Sequence, residues 1–192
     1  MKTLKFNPLK MVISLLFMIV FLSNIYTQTE VNAKAGLSLE EPEPDIQSAI
    51  IAGNLEIVKQ HIAAGSDINI KDQMSGSTPL ITASAFGKSD IVKILIDANA
   101  ELDIKNNEGS TALRAAAFFC HVEIVQLLLE AGADKSLKNN YGATPEESVI
   151  VPFSEMKPIY EMIKKQMEPL GLKLDLKELE ITRPMISILL KE

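Results

Sequence analysis

The chain has one cysteine, Cys120, and two histidines, His61 and His121, among 192 residues. A single cysteine excludes an internal disulfide, so stability has to come from packing. Two histidines far apart in sequence, with one thiol, make no metal-ligand spacing, and no metal or other cofactor is expected. There is no glycine loop of the phosphate-cradling kind and no G-x-S-x-G nucleophile elbow. Basic charge is in deficit: the formal net charge is −6. With no lysine or arginine cluster to offset it, a polyanion would be repelled, and nucleic acid is not an expected partner. Long apolar runs are missing as well. The run "MVISLLFMIVFL" at 11–22 falls short of the ~20 residues that a membrane-spanning helix needs.

That run suits another purpose. Lys2, Lys5 and Lys10 precede it and "VNAKA" (31–35) follows, the order of a positive region, an apolar region and small residues at a cleavage site in a secretory signal peptide. Residues 1–33 are read as that signal, cut after Ala33 or, as second choice, after Ala35; an uncleaved anchor is the alternative. No cysteine lies near the end of the run to carry a lipid. The expected product is periplasmic or secreted and free of the membrane after cleavage. Losing three lysines and Glu30, it would carry a net charge of about −8, which keeps a surface soluble and weakly favours basic partners. Residues 34–44, with "EEPEP" at 40–44, form an acidic, proline-broken linker.

What the sequence does have is a rhythm. "GSTPLITASAFGKSDIVKILIDANAELD" begins at Gly76, "GSTALRAAAFFCHVEIVQLLLEAGADKS" at Gly109 and "GATPEES" at Gly142. Upstream, "DIQSAIIAGNLEIVKQHIAAGSDIN" from Asp45 keeps the same frame with one extra residue near Met74–Ser75. Each recurring letter has a physical role. Gly76, Gly109 and Gly142 suit turns that demand positive φ. Thr78 and Thr144 can cap helix N-termini, with Pro79 and Pro145 at the first helical position. Leu113, Ala116, Ala117 and Cys120 share one helical face, and Ile124, Val125, Leu128 and Leu129 share another. Ile91, Val92, Leu95 and Ile96 match the latter, as Ile57, Val58 and Ile62 do more loosely. Gly65, Asn99 and Gly132 tolerate the left-handed conformation that ends a helix. One such helix pair cannot bury its apolar face alone, so neighbours must stack.

A period of this length, carried by "TPL", "IVKILI" and "AGAD", resembles the ankyrin repeat. The resemblance implies an all-α solenoid of helix-turn-helix units with short hairpin loops. Repeats are expected over 45–149, at about 45–73, 74–106, 107–139 and a partial unit at 140–149. Residues 150–192 are expected to be a degenerate repeat and helical cap. There Ser154 would cap a helix carrying Met156, Ile159, Ile163 and Met167, and Thr182 would cap a last short helix with Ile186, Leu189 and Leu190 inward.

The pair Cys120–His121 would be a catalytic dyad only if the imidazole met the thiol and a third group oriented it. The frame places the pair in the turn between paired helices, where the other repeats have Gly53–Asn54 and Gly87–Lys88, and that turn is commonly Gly-His in the family. A structural role is therefore expected, and no enzyme. His61 is expected near the edge of a second helix. Arg114 and Glu147, one repeat apart, are expected to form an ion pair across the stack.

The resemblance also implies a protein-binding module whose recognition surface is made of hairpin tips and the concave side of the first helices. The candidate contact residues are Met74, Ser77, Phe86, Asn107, Glu108, Ser110, Phe118, Phe119, Asn140 and Tyr141. Phe118 points furthest from the buried face on the helical wheel, with Phe86 and Phe119 on the flank. A monomeric exported adaptor or inhibitor is the leading expectation. An effector or toxin-like protein acting in a host is the second, and an enzyme using Cys120 and His121 the third.

Overall fold

The computed structural model describes residues 42–192. The expected signal segment and linker residues 34–41 lie outside the described residues. Among the described residues there are eight α-helices and no strand. Three helix pairs come first: α1 (Ile46–Ala52) with α2 (Leu55–Ala64), α3 (Pro79–Ala85) with α4 (Ser89–Asp97), and α5 (Ala112–Phe118) with α6 (Val122–Glu130). A 3-10 turn at Glu146–Ser148 stands where a fourth first helix would begin. Two longer helices follow, α7 (Phe153–Met167) and α8 (Leu176–Lys191).

The caps agree with the sequence. Thr78 and Thr111 accept the Ile81 and Arg114 N–H groups through their hydroxyls, and Asp45 accepts those of Gln47 and Ser48. Gly65, Asn99 and Gly132 follow the second helices at φ 75°, 62° and 93°. The first helices pack on one another, α3 against both α1 and α5, while α4 packs on α2 and α6. Ala49, Ala83, Ala116 and Ala117 are fully buried at these contacts, small enough to let backbones come close. Ile91, Val92, Leu95, Ile124, Val125 and Leu128 fill the layer between first and second helices. The expected solenoid of stacked helix pairs is the observed fold.

The extra residue of the first hairpin has a structural account. Asn106 and Asn139 each accept two N–H groups of their own turn, from Glu108 and Ser110 and from Tyr141 and Ala143. Asp72 holds its longer turn with both carboxylate oxygens, taking the N–H groups of Met74, Ser75 and Ser77. A second acceptor oxygen lets the turn absorb the insertion.

The end of the chain departs from expectation. Ser154 caps nothing; α7 starts after Pro152 without a side-chain cap. The last helix is not a short piece behind Thr182 but begins at Leu176 behind Asp175, which accepts the N–H groups of Lys177 and Glu178. Thr182 lies inside it and donates its hydroxyl to the Glu178 carbonyl, and Pro184 is accommodated further along. Met156, Ile159, Ile163 and Met167 are buried as expected. The two helices also do more than lid the final repeat. Tyr160 of α7 reaches Phe118 in the third repeat. A methyl group built on Gly171 would stand 3.8 Å from the Ile51 carbonyl in the first. Ile51 and Phe118 occupy the same place in their repeats, two residues before the helix-pair turn, so the segment from Tyr160 to Gly171 runs across the ends of the first helices. Helix α8 then returns to pack on α6 and the 3-10 turn.

Candidate functional site

Cys120 and His121 serve the stack. Cys120 has φ 57°, in the left-handed region that its counterparts Gly53 and Gly87 enter at 73° and 67°. The residue following each turn lies over the turn before it: a β-carbon on Gly53 would come 3.2 Å from Lys88 Nζ, and one on Gly87 would come 2.7 Å from the His121 ring. Nε2 of His121 faces the Ala85 carbonyl at 3.2 Å. No helix pair follows Cys120, and α8 covers it instead, with Sγ 3.9 Å from the Leu179 carbonyl oxygen. That explains why a side chain is tolerated at a glycine position. Burial pushes the thiol's pKa up and the imidazole's down. Thiol and ring face different partners, so neither activates the other.

His61 is also buried rather than at an edge, 1% exposed, with its ring nitrogens 3.1 Å from the Ser66 hydroxyl and the Pro44 carbonyl. The expected Arg114–Glu147 pair gives way to a different arrangement. Arg114 donates to Ser110 Oγ and to the Thr144 carbonyl, both at 3.2 Å. Glu147 accepts the Thr144 N–H at 2.7 Å while Thr144 Oγ1 accepts the Glu147 N–H, a capping box that engages the carboxylate locally. Burial lowers the guanidinium pKa to about 10, against the opposing pull of Glu108 and Glu147.

The aromatic candidates are covered. Phe118 is 5% exposed, Phe86 7% and Phe119 8%. The Phe118 ring lies 5.2 Å from that of Tyr160 and edge-on to Phe119, which stacks on His121. A helical wheel shows that Phe118 points away from its own core; it does not show that a segment over forty residues later arrives on that side. Tyr160 donates to the Phe118 carbonyl at 2.7 Å and accepts from Arg183, whose guanidinium also donates to the Val151 and Ser148 carbonyls. Burial raises the Tyr160 pKa well beyond the phenol range. Ser77 is likewise inside its turn, 2% exposed, its carbonyl taken by the Asp72 N–H and by Gln47 Nε2.

The hairpin tips remain at the surface, in an ordered row. Asn107 donates its backbone N–H to the Ser75 carbonyl and its side-chain amide to the Met74 carbonyl. Asn140 repeats this one unit on, to the carbonyls of Glu108 and Asn107. A second row runs beside it, with Lys71 Nζ on the Lys105 carbonyl at 2.7 Å and Lys105 Nζ on that of Lys138 at 2.9 Å. Met74, Glu108 and Ser110 are half-buried in the row, whereas Asn107, Asn140 and Tyr141 are exposed. The lysines were not among the sequence candidates, although the matching places of Lys105 and Lys138 were there to be read.

Stacked pairs, their caps and these tip ladders coincide with the stretch that the family model of ankyrin repeats matches, in three copies over 46–139. Residues 46–139 are ankyrin repeats. Within the curated proteins, the chain is 39% identical over 63 residues to protein phosphatase 1 regulatory subunit 27 of Homo sapiens and to that of Mus musculus, covering 33% of this chain and 40% of each relative. It is 34% identical over 65 residues to an ankyrin repeat-containing protein of Schizosaccharomyces pombe, covering 34% and 31%. The chain thus spans less than half the length of these relatives.

Proposed function

We propose that the protein is an exported binding module that engages one protein partner at the open end of its hairpin row. The observation that carries this is the unfinished ladder. Met74 and Ser75 offer carbonyls to the next tip, and so do Asn107 and Glu108. Asn140 and Tyr141 hold the same places on the last tip, exposed, with no further repeat beyond them. Lys138 holds the place from which Lys71 and Lys105 reach forward to a carbonyl. A partner turn that brings an N–H, a side-chain amide and a carbonyl would continue both rows, with the Tyr141 ring, 36% exposed, as an aromatic anchor. The first helices contribute less than the resemblance implied, since Phe118, Phe119 and Phe86 are engaged within the chain. Ankyrin repeats and the regulatory-subunit relative favour a protein partner over a small molecule. The N-terminal sequence favours export, and the repeats favour an adaptor or inhibitor.

The test is capture from the cell-envelope fraction with the purified protein, followed by affinity measurement on the captured partner. Tyr141→Ala and Lys138→Ala should each weaken binding by more than ~1 kcal/mol while leaving the melting curve unchanged. Folded variants that bind as well as the parent would remove the last tip from the site. Mass spectrometry of the mature N-terminus checks export: a chain starting at Lys34 or Gly36 is expected, and one starting at Met1 refutes cleavage.

A further inference from the structure

Helix α8 carries apolar side chains on two faces. Leu179, Ile186 and Leu190 are buried, which accounts for its packing on the ankyrin block. On the other side Ile181 is 72% exposed, Met185 50% and Ile188 57%. Their spacing puts them in one stripe. Half of the large exposed apolar side chains among the described residues lie on it, so this is a patch and not the ordinary scatter of single residues.

The ends of the stripe say what fits it. Lys177 lies just before it and Glu192 just after, both exposed. A second α8 laid antiparallel along the first brings Ile181 opposite Ile188, Pro184 opposite Met185 and Lys177 opposite Glu192, each pairing occurring twice about a twofold axis. A parallel copy would set Lys177 against Lys177 and Glu192 against Glu192. The face is therefore complementary to itself in one sense only, the property an isologous contact requires. We infer that α8 is the contact of an antiparallel, twofold-symmetric dimer of this chain, in place of the monomer expected from sequence. The surface is separate from the Tyr141 tip, so the dimer and the partner site stand or fall independently. One helix of this length, about 24 Å, gives an interface at the small end of specific contacts, and the dimer should dissociate in the micromolar range.

Sedimentation equilibrium of the purified chain across that range tests the proposal. A reversible monomer–dimer equilibrium is expected. Ile181→Glu and Ile188→Glu should each raise the dissociation constant at least about tenfold, with circular dichroism melts unchanged at concentrations below the parent's dissociation constant, where both sites are exposed in every chain. Lys177→Glu should weaken the dimer, and adding Glu192→Lys should restore it. A parent chain that stays monomeric would overturn the inference and leave the stripe to another protein or to the chain's own first residues. So would a dimer indifferent to Ile181 and Ile188, or a charge reversal that fails to rescue.

Discussion

The ankyrin block and the C-terminal segment solve the same problem by opposite means. In the block, each unit is specified by residues within its own repeat and by the matching residues of the next: a cap, a left-handed turn, an amide reaching one tip back. In α7 and α8 the local signals are poor. Each helix has a proline inside it, and α7 lacks a side-chain cap. One distant cluster ties the segment down, with Arg183 bridging Tyr160, Val151 and Ser148, and Tyr160 bound to Phe118. Repetition spreads specification over many weak contacts, whereas a single fold-back concentrates it in a few strong ones.

That contrast can be broken from the C-terminal side first. Arg183→Met removes a charged donor, strands the Ser148 and Val151 carbonyls and leaves the Tyr160 hydroxyl only its bond to Phe118, for a loss of about 3 kcal/mol. Hydrogen exchange should show α7 and α8 losing protection while α3 to α6 keep theirs; uniform loss throughout would mean that the two regions unfold as one. Within the block, Gly109 and Gly132 sharpen the comparison. Both have positive φ, at 74° and 93°, but a β-carbon on Gly109 would meet the backbone nitrogen of Asn140 at 2.8 Å, while one on Gly132 meets nothing within 4 Å. Alanine at Gly132 should cost only the left-handed strain, about 1 kcal/mol. Alanine at Gly109 should cost about 2 kcal/mol or more, because the next tip must also move. Equal denaturation midpoints would show that the tip ladder contributes nothing.

The mildest perturbation is pH at the seam between the regions. Burial holds the His121 pKa below its ordinary 6.5, so as pH falls through that value the unfolded chain takes up a proton that the native chain refuses. Stability should decline in that window. Burial holds the Cys120 pKa above 9.0, and stability should decline again as pH rises past it, where the unfolded thiol ionises first. His121→Gln should flatten the acid limb of a urea-midpoint profile, and Cys120→Ser the alkaline limb. A profile untouched by either substitution would place both groups in water.

Sequence carried the block because its determinants are periodic. Thr78, Thr111, Gly76, Gly109 and the Ile-Val pairs repeat in register, and each repeat corroborates the others. It did not carry Phe118, whose exposure depends on where Tyr160 comes to rest, nor Arg183, whose partners are over twenty residues away in sequence. Thr182–Arg–Pro looks like a helix start by local chemistry alone. The stronger signal was Asp175, a capping acid ahead of Leu179, Ile186 and Leu190. For the candidate site, Asn107, Asn140 and Tyr141 were legible as tips, but the direction of their ladder needed the hydrogen bonds.

The lone thiol gives the molecule a clock. Cys120 lies beneath α8, shielded by the Leu179–Thr182 turn, and the chain contains no other cysteine to confuse a label. With Cys120 8% exposed, an alkylating reagent gains full access when that helix lifts, so the slow growth of one mass adduct follows those openings.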